Sequence, residues 1–371
     1  MPHRLPLTPL ARLLPDTVPF VGPEAQERSR GRPFRARLGA NENGFGPSPR
    51  VVAAMAEAAA EMWKYCDPDN HDLRRAIAAH LGLKAGNVVV GEGIDGLLGL
   101  TVRLFVREGD AVVTSLGAYP TFNYHVAGFG GRLLTVAYRD DHEDLEALLD
   151  TVKRENAPLV YLSNPDNPMG TWWKAADIVS FMEALPETTI FILDEAYGET
   201  APADALPGFD VSRPNVVRMR TFSKAYGLAG LRCGYAVGHE DTIRFFDKVR
   251  NHYGMNRMAQ AAGLAAIDDQ AYLADTVART AAGRARIAEI AAGHGLQPLP
   301  SATNFVAIDC GRDAAFALKV MQELLARDVF VRKPMVPVLD RTVRISVGPE
   351  PEIDLFQAAF GDALEAARTG S

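Results

Sequence analysis

Six short runs of apolar, mostly β-branched residues recur along the first two thirds of the chain. They are NVVV from Asn87, AVVT from Ala111, RLLTVA from Arg132, PLVYL from Pro158, TIFILD from Thr189 and VVRMRT from Val216. Runs this apolar suit strands covered on both faces, since neither face is then left to water. Between them lie amphipathic stretches, such as Leu97 to Phe105 and His142 to Lys153, that predict helices. Strand and helix in alternation predict an α/β fold, with a mainly parallel sheet flanked by helices. Ser48 followed by Pro49 is a helix start, and Val52, Met55, Ala59 and Met62 then fall on one apolar stripe.

The pattern changes after Asp241. A helical stretch runs to Ile290, with breaks expected near Tyr253-Gly254 and at Gly283. NFVAID from Asn304, a helix from Ala314, VFVRK from Val329, TVRISV from Thr342 and a last helix from Ile353 complete a smaller α+β domain. The organisation expected is an N-terminal arm over 1–37, a large domain over 38–245 and a small domain over 246–371.

With 371 residues, 47% hydrophobic and 23% charged, the composition is that of an ordinary globular protein. A net charge of -7 argues against a general nucleic-acid surface, although a basic pocket for one anion stays possible. Cys66, Cys233 and Cys310 are far apart, with no CxxC spacing and no histidine at ligand spacing, so neither a disulfide framework nor a metal site is expected. Leu97 to Val106 is interrupted by Arg103 and is shorter than the ~20 residues that cross a bilayer. The prolines and Asp16 near the start break any signal-peptide pattern. A soluble cytoplasmic protein with no membrane partner is expected.

Gly91, Gly93 and Gly96 follow a strand and open a helix, matching the GxGxxG spacing of dinucleotide sites. The next strand ends in Ser115, however, where a ribose-binding acid would be needed. What remains is a helix N-terminus whose free N–H groups suit a phosphate.

TFSKAYGLAGLRCGY is the most specific segment. Lys224 is followed by Ala225, Gly227, Leu228, Ala229 and Gly230, which do not make a solvated face. A buried lysine near an arginine has its neutral amine favoured, as Schiff-base chemistry requires. Ser223 and Arg232 are candidate phosphate donors. Asp194 ends an apolar strand, where parallel α/β sheets place their sites, although helix capping is an alternative task for it. Asn167 sits in the turn SNPDNPMG after the PLVYL run.

Taken in order, GEG, AYP, NPDNPMG, LDEAY and TFSKAYGLAGLRCG resemble the histidinol-phosphate aminotransferase branch of the fold-type I, class II aminotransferases, from Leu38 to Thr342 and beyond. The resemblance implies pyridoxal 5'-phosphate as cofactor and Lys224, Asp194 and Tyr197 as catalytic residues. It places Gly93, Ile94, Asp95, Ser223 and Arg232 at the phosphate, Tyr119 on the ring, and Asn167 and Tyr197 at the phenolic oxygen. Asp194 would pair with the pyridine nitrogen. Tyr65 would reach the phosphate of a neighbouring subunit, which implies a homodimer.

The same resemblance assigns Arg344, Arg332, Asn304, Asn41 and Asn43 to the substrate, with Phe20 where the family usually has a phosphate-binding tyrosine. Met169 replaces a usual threonine and Cys66 a usual proline. Transfer of an amino group from histidinol phosphate or a related aromatic donor to 2-oxoglutarate is the activity implied. A threonine-phosphate decarboxylase or an aromatic amino-acid aminotransferase would have a similar cofactor site. A cofactor-sensing regulator would need a DNA-binding domain, and the roughly forty residues before the GANEN turn lack that pattern.

Overall fold

The computed structural model describes residues 5–16 and 22–369, and it contains twelve strands among them. These are β1 (Ala36–Arg37), β2 (Val88–Gly91), β3 (Ala111–Ser115), β4 (Arg132–Val136), β5 (Leu159–Ser163), β6 (Ile190–Asp194), β7 (Val216–Thr221), β8 (Gly234–Gly238), β9 (Gln297–Pro298), β10 (Phe305–Asp309), β11 (Val329–Phe330) and β12 (Thr342–Ser346). Seven form one sheet in the order β2-β8-β7-β6-β5-β3-β4, parallel except where β8 pairs antiparallel with both β2 and β7. All six expected strands are present; β8 is additional, formed by GYAVG directly after the lysine segment.

Successive side chains of a strand face opposite ways, and the sheet's two cores follow from this. Val112, Ile192 and Val217 pack on one face with Leu97, Leu98 and Phe122. Their neighbours Val113, Phe191 and Leu193 pack on the other with Leu148, Ile178 and Phe181. Because β3 to β7 pair in parallel, they deliver their carboxyl ends to the same edge of the sheet.

Four local expectations are corrected. The helix after Ser48, whose Oγ accepts from Val51 N at 3.2 Å, spans Pro49–Ala59 and buries Val51; Val52, Ala59 and Met62 of the expected stripe are exposed on this chain. Helix Gln270–Gly293 runs unbroken through Gly283. The glycine is there because a Cβ would stand 2.4 Å from Val347 Cγ1, so it permits close packing and does not end the helix. The stretch from His142 becomes helical only at Leu145, because Asp144 caps it by accepting from Ala147 N. The last helix begins at Glu350, a turn earlier than expected.

The smaller unit holds the antiparallel sheet β12-β10-β9 and a core that joins Val306, Ile345 and Phe356. That core also takes in Ala36 and Leu38, because β1 pairs with β11. Helix Arg257–Asp268, by contrast, packs with Val51, Leu73 and Cys233 of the larger unit. The end of the arm thus packs with the antiparallel sheet, and helix Arg257–Asp268 packs with Val88, Val90 and Tyr235 of the seven-stranded sheet.

Candidate active site

The carboxyl ends of β5, β6 and β7 and the N-terminus of helix Gly93–Phe105 converge on one cavity of about 160 Å³. Ile94, Asp95, Tyr119, Asn167, Asp194, Tyr197, Ser223, Lys224 and Arg232, nine of the residues expected at a cofactor, line it. They arrive from five separate segments, and the sheet register makes them neighbours: Ser163 at the end of β5 lies opposite Asp194 at the end of β6.

At one end, Arg232 Nη1 donates to Ser223 Oγ at 3.2 Å and Nη2 to Asp95 Oδ2 at 3.1 Å. Tyr119 OH donates to Asp95 Oδ1 at 2.8 Å. Gly93 has φ +73°, and a Cβ on it would stand 2.5 Å from Arg232 Nη2. Only glycine both adopts that turn and lets the guanidinium approach the helix N-terminus. Backbone N–H groups, a hydroxyl and a guanidinium around one point make an anion cradle.

At the cavity floor Asp194 is buried, accepting from Ala196 N at 2.9 Å and from Tyr161 OH at 2.8 Å. Burial pushes its carboxyl up to about 6, so it remains mainly ionised at neutral pH. Between floor and mouth, Lys224 Nζ donates to Asn41 O at 3.0 Å and lies 5.6 Å from the Tyr197 ring centre. Burial first, then the nearby Arg344, lowers its ammonium to about 8. A substantial neutral fraction near neutral pH makes it a usable nucleophile and base.

Asn41, Asn304, Arg332 and Arg344 are not part of the cavity lining; Asn41 and Arg344 bond residues that are, and Asn41 ties Lys224 to Tyr197 and Asn304. Its carbonyl accepts from Lys224 Nζ and from Asn304 Nδ2 at 3.0 Å, and its Nδ2 donates to Tyr197 OH at 2.9 Å. Arg344, facing Arg332 across an antiparallel bridge, donates from Nη1 to Asn167 Oδ1 at 2.6 Å. Its Nε is buried with no hydrogen-bond partner, and burial with Arg332 nearby lowers its pKa to about 10. Two adjacent forked cations, both held down by burial, are suited to a carboxylate or phosphate.

Two expected residues do other work. Asn43 donates from Nδ2 to Ala225 O and accepts from Phe45 N, so it pins the GANEN turn to the lysine segment and is not part of the cavity lining. Tyr65 is 80% exposed and its ring packs at a tilt of 44° against Tyr253 with ring centres 5.0 Å apart, outside its own chain's cavity. Phe20 lies outside the described residues. Sequence reasoning missed Tyr161, Ser163 and Thr221 of the lining. Tyr161 stood inside an apolar run, where its hydroxyl gave no signal. Thr221 was legible as the first residue of the lysine segment; its Oγ1 accepts from Ser223 N at 3.0 Å.

The donor set fits pyridoxal 5'-phosphate. The glycine-backed cradle matches its phosphate, the buried carboxylate its ring nitrogen, and the half-buried amine its aldehyde carbon. No metal-ligating cluster occurs among the described residues.

Comparison with known proteins agrees. The chain is 56% identical to the histidinol-phosphate aminotransferase of Sinorhizobium meliloti, solved in complex with pyridoxal-5'-phosphate, with a TM-score of 0.95 over 99% of each chain. It is 38% identical to the histidinol-phosphate aminotransferase of Anaeromyxobacter sp. (strain Fw109-5), covering 98% of this chain and 99% of the relative. It is also 38% identical to histidinol-phosphate aminotransferase 1 of Mesorhizobium japonicum, over 89% of this chain and 90% of the relative. Residues 36–360 match the family model for aminotransferase class I and II, and by fold, cofactor cradle and sequence the chain belongs to that family.

Proposed function

We propose that the protein transfers the amino group of histidinol phosphate to 2-oxoglutarate, working in the cytoplasm as a homodimer. The observation that carries this reading is the half-buried pair Arg332 and Arg344, of which Arg344 stands by Lys224 and bonds Asn167. Histidinol phosphate has no α-carboxylate, so its phosphate would take the place where an amino-acid substrate sets its carboxylate, and the same two forks serve both. The likeness to histidinol-phosphate aminotransferases over the whole chain supports that donor. No helix of the described residues is long and apolar enough to cross a membrane, and Cys66, Cys233 and Cys310 are all unpaired, as a reducing compartment favours.

Pyridoxal phosphate, when bound, supplies an electron sink for the donor's Cα. The protein's part follows from the geometry. Ser223, Arg232 and the N–H groups after Gly93 would hold the phosphate, Asp194 would keep the ring nitrogen protonated, and Tyr197 and Asn167 would face the phenolic oxygen. Lys224 Nζ would first hold the cofactor covalently. Released as a neutral amine, it would take the proton from the donor's Cα.

With 2-oxoglutarate as acceptor, histidinol phosphate is expected to give the higher kcat/KM and phenylalanine a measurable lower one. Phe20→Tyr is expected to raise the value for histidinol phosphate by about tenfold or more, the worth of one hydrogen bond to a charged group, with phenylalanine nearly unchanged. Amino-group transfer from phenylalanine alone would overturn the substrate, and carbon dioxide release without transfer would favour the decarboxylase.

The reading as a homodimer is supported by Val52, Met62, Trp63, Tyr65 and Tyr253, large apolar side chains that this chain leaves exposed. Tyr65 would reach the cofactor phosphate of the partner. In heterodimers of wild type with a Tyr65→Phe, Lys224→Ala chain, the intact lysine site is expected to hold its cofactor about tenfold more weakly, because its only donated tyrosine is gone. Full affinity there would show that Tyr65 does not cross between subunits.

A further inference from the structure

We propose that Glu143, Ser163 and Asp166 form a positioning cluster that holds one shared proton, lodged on Glu143, and that this proton fixes the turn carrying Asn167 to the cofactor cavity. The carboxyl groups are 1% and 2% exposed, and neither forms an ion pair with arginine or lysine among the described residues. Ser163 stands between them. Its N and its Oγ each lie 2.9 Å from Glu143 Oε1, and the same Oγ lies 3.2 Å from Asp166 Oδ1.

The hydrogens decide the protonation. A serine hydroxyl has one hydrogen and an ionised carboxylate has none, so Ser163 Oγ cannot bond both carboxyl groups if both are ionised. Asp166 already has a donor on each oxygen, Tyr138 OH on Oδ1 and Met169 N on Oδ2, both at 2.8 Å. Glu143 Oε2 makes no hydrogen bond of normal geometry; the Ser115 hydroxyl, itself buried and unpaired, is the side-chain donor beside Glu143, so this carboxyl is served less well than that of Asp166. The acid is therefore Glu143: its O–H donates to Ser163 Oγ, whose own hydrogen goes to Asp166. Each contact then has one donor and one acceptor. The titratable groups around the cluster are Tyr138, Tyr161, Tyr197, His142 and, from the small unit, Arg344. Burial and the neighbouring Asp166 push Glu143 upward, in the same direction.

Asp166 is the anchor of the turn. Its N donates to Thr171 O at 2.8 Å and its carbonyl accepts from Gly170 N at 3.1 Å. The next residue, Asn167, lines the cavity and holds Arg344, and Ser163 forms part of the same wall. Loss of the Glu143 proton would leave two buried anions with one hydrogen between them and would free the turn. The consequence for the cofactor rests on the function proposed above; the proton does not.

Infrared spectra of cofactor-free wild type at neutral pH are expected to show the C=O stretch of a buried protonated carboxyl, absent from Glu143→Gln. As pH rises the band should bleach, and cofactor affinity in the wild type should fall with it by about tenfold, while Glu143→Gln, whose amide donates where the acid did, keeps its affinity. Absence of the band from wild type, its persistence in the variant, or matching pH profiles of affinity in the two proteins would overturn the proposal. Should Glu143→Gln fail to fold, Ser163→Ala, which removes the hydroxyl that receives the Glu143 proton, tests the same assignment: the band should shift in it, and an unshifted band would overturn the proposal. A band present in a protein with no cofactor affinity would refute the proposed function and leave the proton assignment standing.

Discussion

Lys224→Ala is expected to lower transamination by about 10⁴-fold or more, because one nitrogen performs two tasks. A positioned general base alone contributes roughly 10²- to 10⁴-fold, and the covalent hold on the cofactor adds to that. The environment of Nζ shows why no neighbour can substitute. It is half-buried, it donates to a backbone carbonyl at 3.0 Å, and the other cations nearby are guanidiniums, which do not give up protons. With its ammonium lowered to about 8, the neutral share of Lys224 grows as pH rises and levels off above that value. The rate at which cofactor-free wild type captures pyridoxal phosphate should follow that curve, and the variant should show no covalent capture at any pH. Added small primary amines should restore part of the proton transfer. Turnover within tenfold of wild type, or an unchanged visible spectrum, would remove Lys224 from its assigned place.

What the sequence displayed, and what it hid, divides along physical lines. Runs such as TIFILD were legible because a strand buried on both faces has no polar alternation, and β6 is such a strand, with Phe191 to Asp194 all buried. Asp194 was legible for the same reason, as an acid closing an apolar run. Strand β8 was not, since GYAVG is short, glycine-rich and continuous with the lysine segment. The stripe Val52, Ala59 and Met62 was legible as apolar, yet these residues are exposed on this chain; periodicity reports that a face avoids water and not what covers it. Gly283 was taken for a break because glycine disfavours helices, whereas the approach of Val347 requires it. Glu143, Tyr161 and Asp166 carried no signal, because their roles come from sheet register and from a turn that folds back on it.

Asp194→Asn is expected to cut kcat by about 10²- to 10³-fold while leaving the cofactor largely in place. The substitution keeps the shape of the side chain and removes its charge. Loss of one preorganised electrostatic partner of a charge that develops in the reaction costs about 2.7–4 kcal/mol elsewhere, which sets the range. Cofactor retention should change less, because the phosphate cradle of Ser223, Arg232 and Gly93 and the hold of Lys224 lie on other elements. The carboxylate can serve because it is paired within the protein: Ala196 N fixes Oδ1 and Tyr161 OH fixes Oδ2, and both bonds favour the ionised form against the burial that raises it to about 6. Tyr161→Phe should therefore give a smaller loss of the same kind, about tenfold, through one missing hydrogen bond to a charged group. Single-turnover measurements with the donor deuterated at Cα separate this step from binding, and the isotope effect should grow in Asp194→Asn as proton removal becomes slower. Near-wild-type kcat with an unchanged isotope effect would show that Asp194 does not face the ring nitrogen, whereas loss of the cofactor itself would make it a binding residue and not the support of the electron sink.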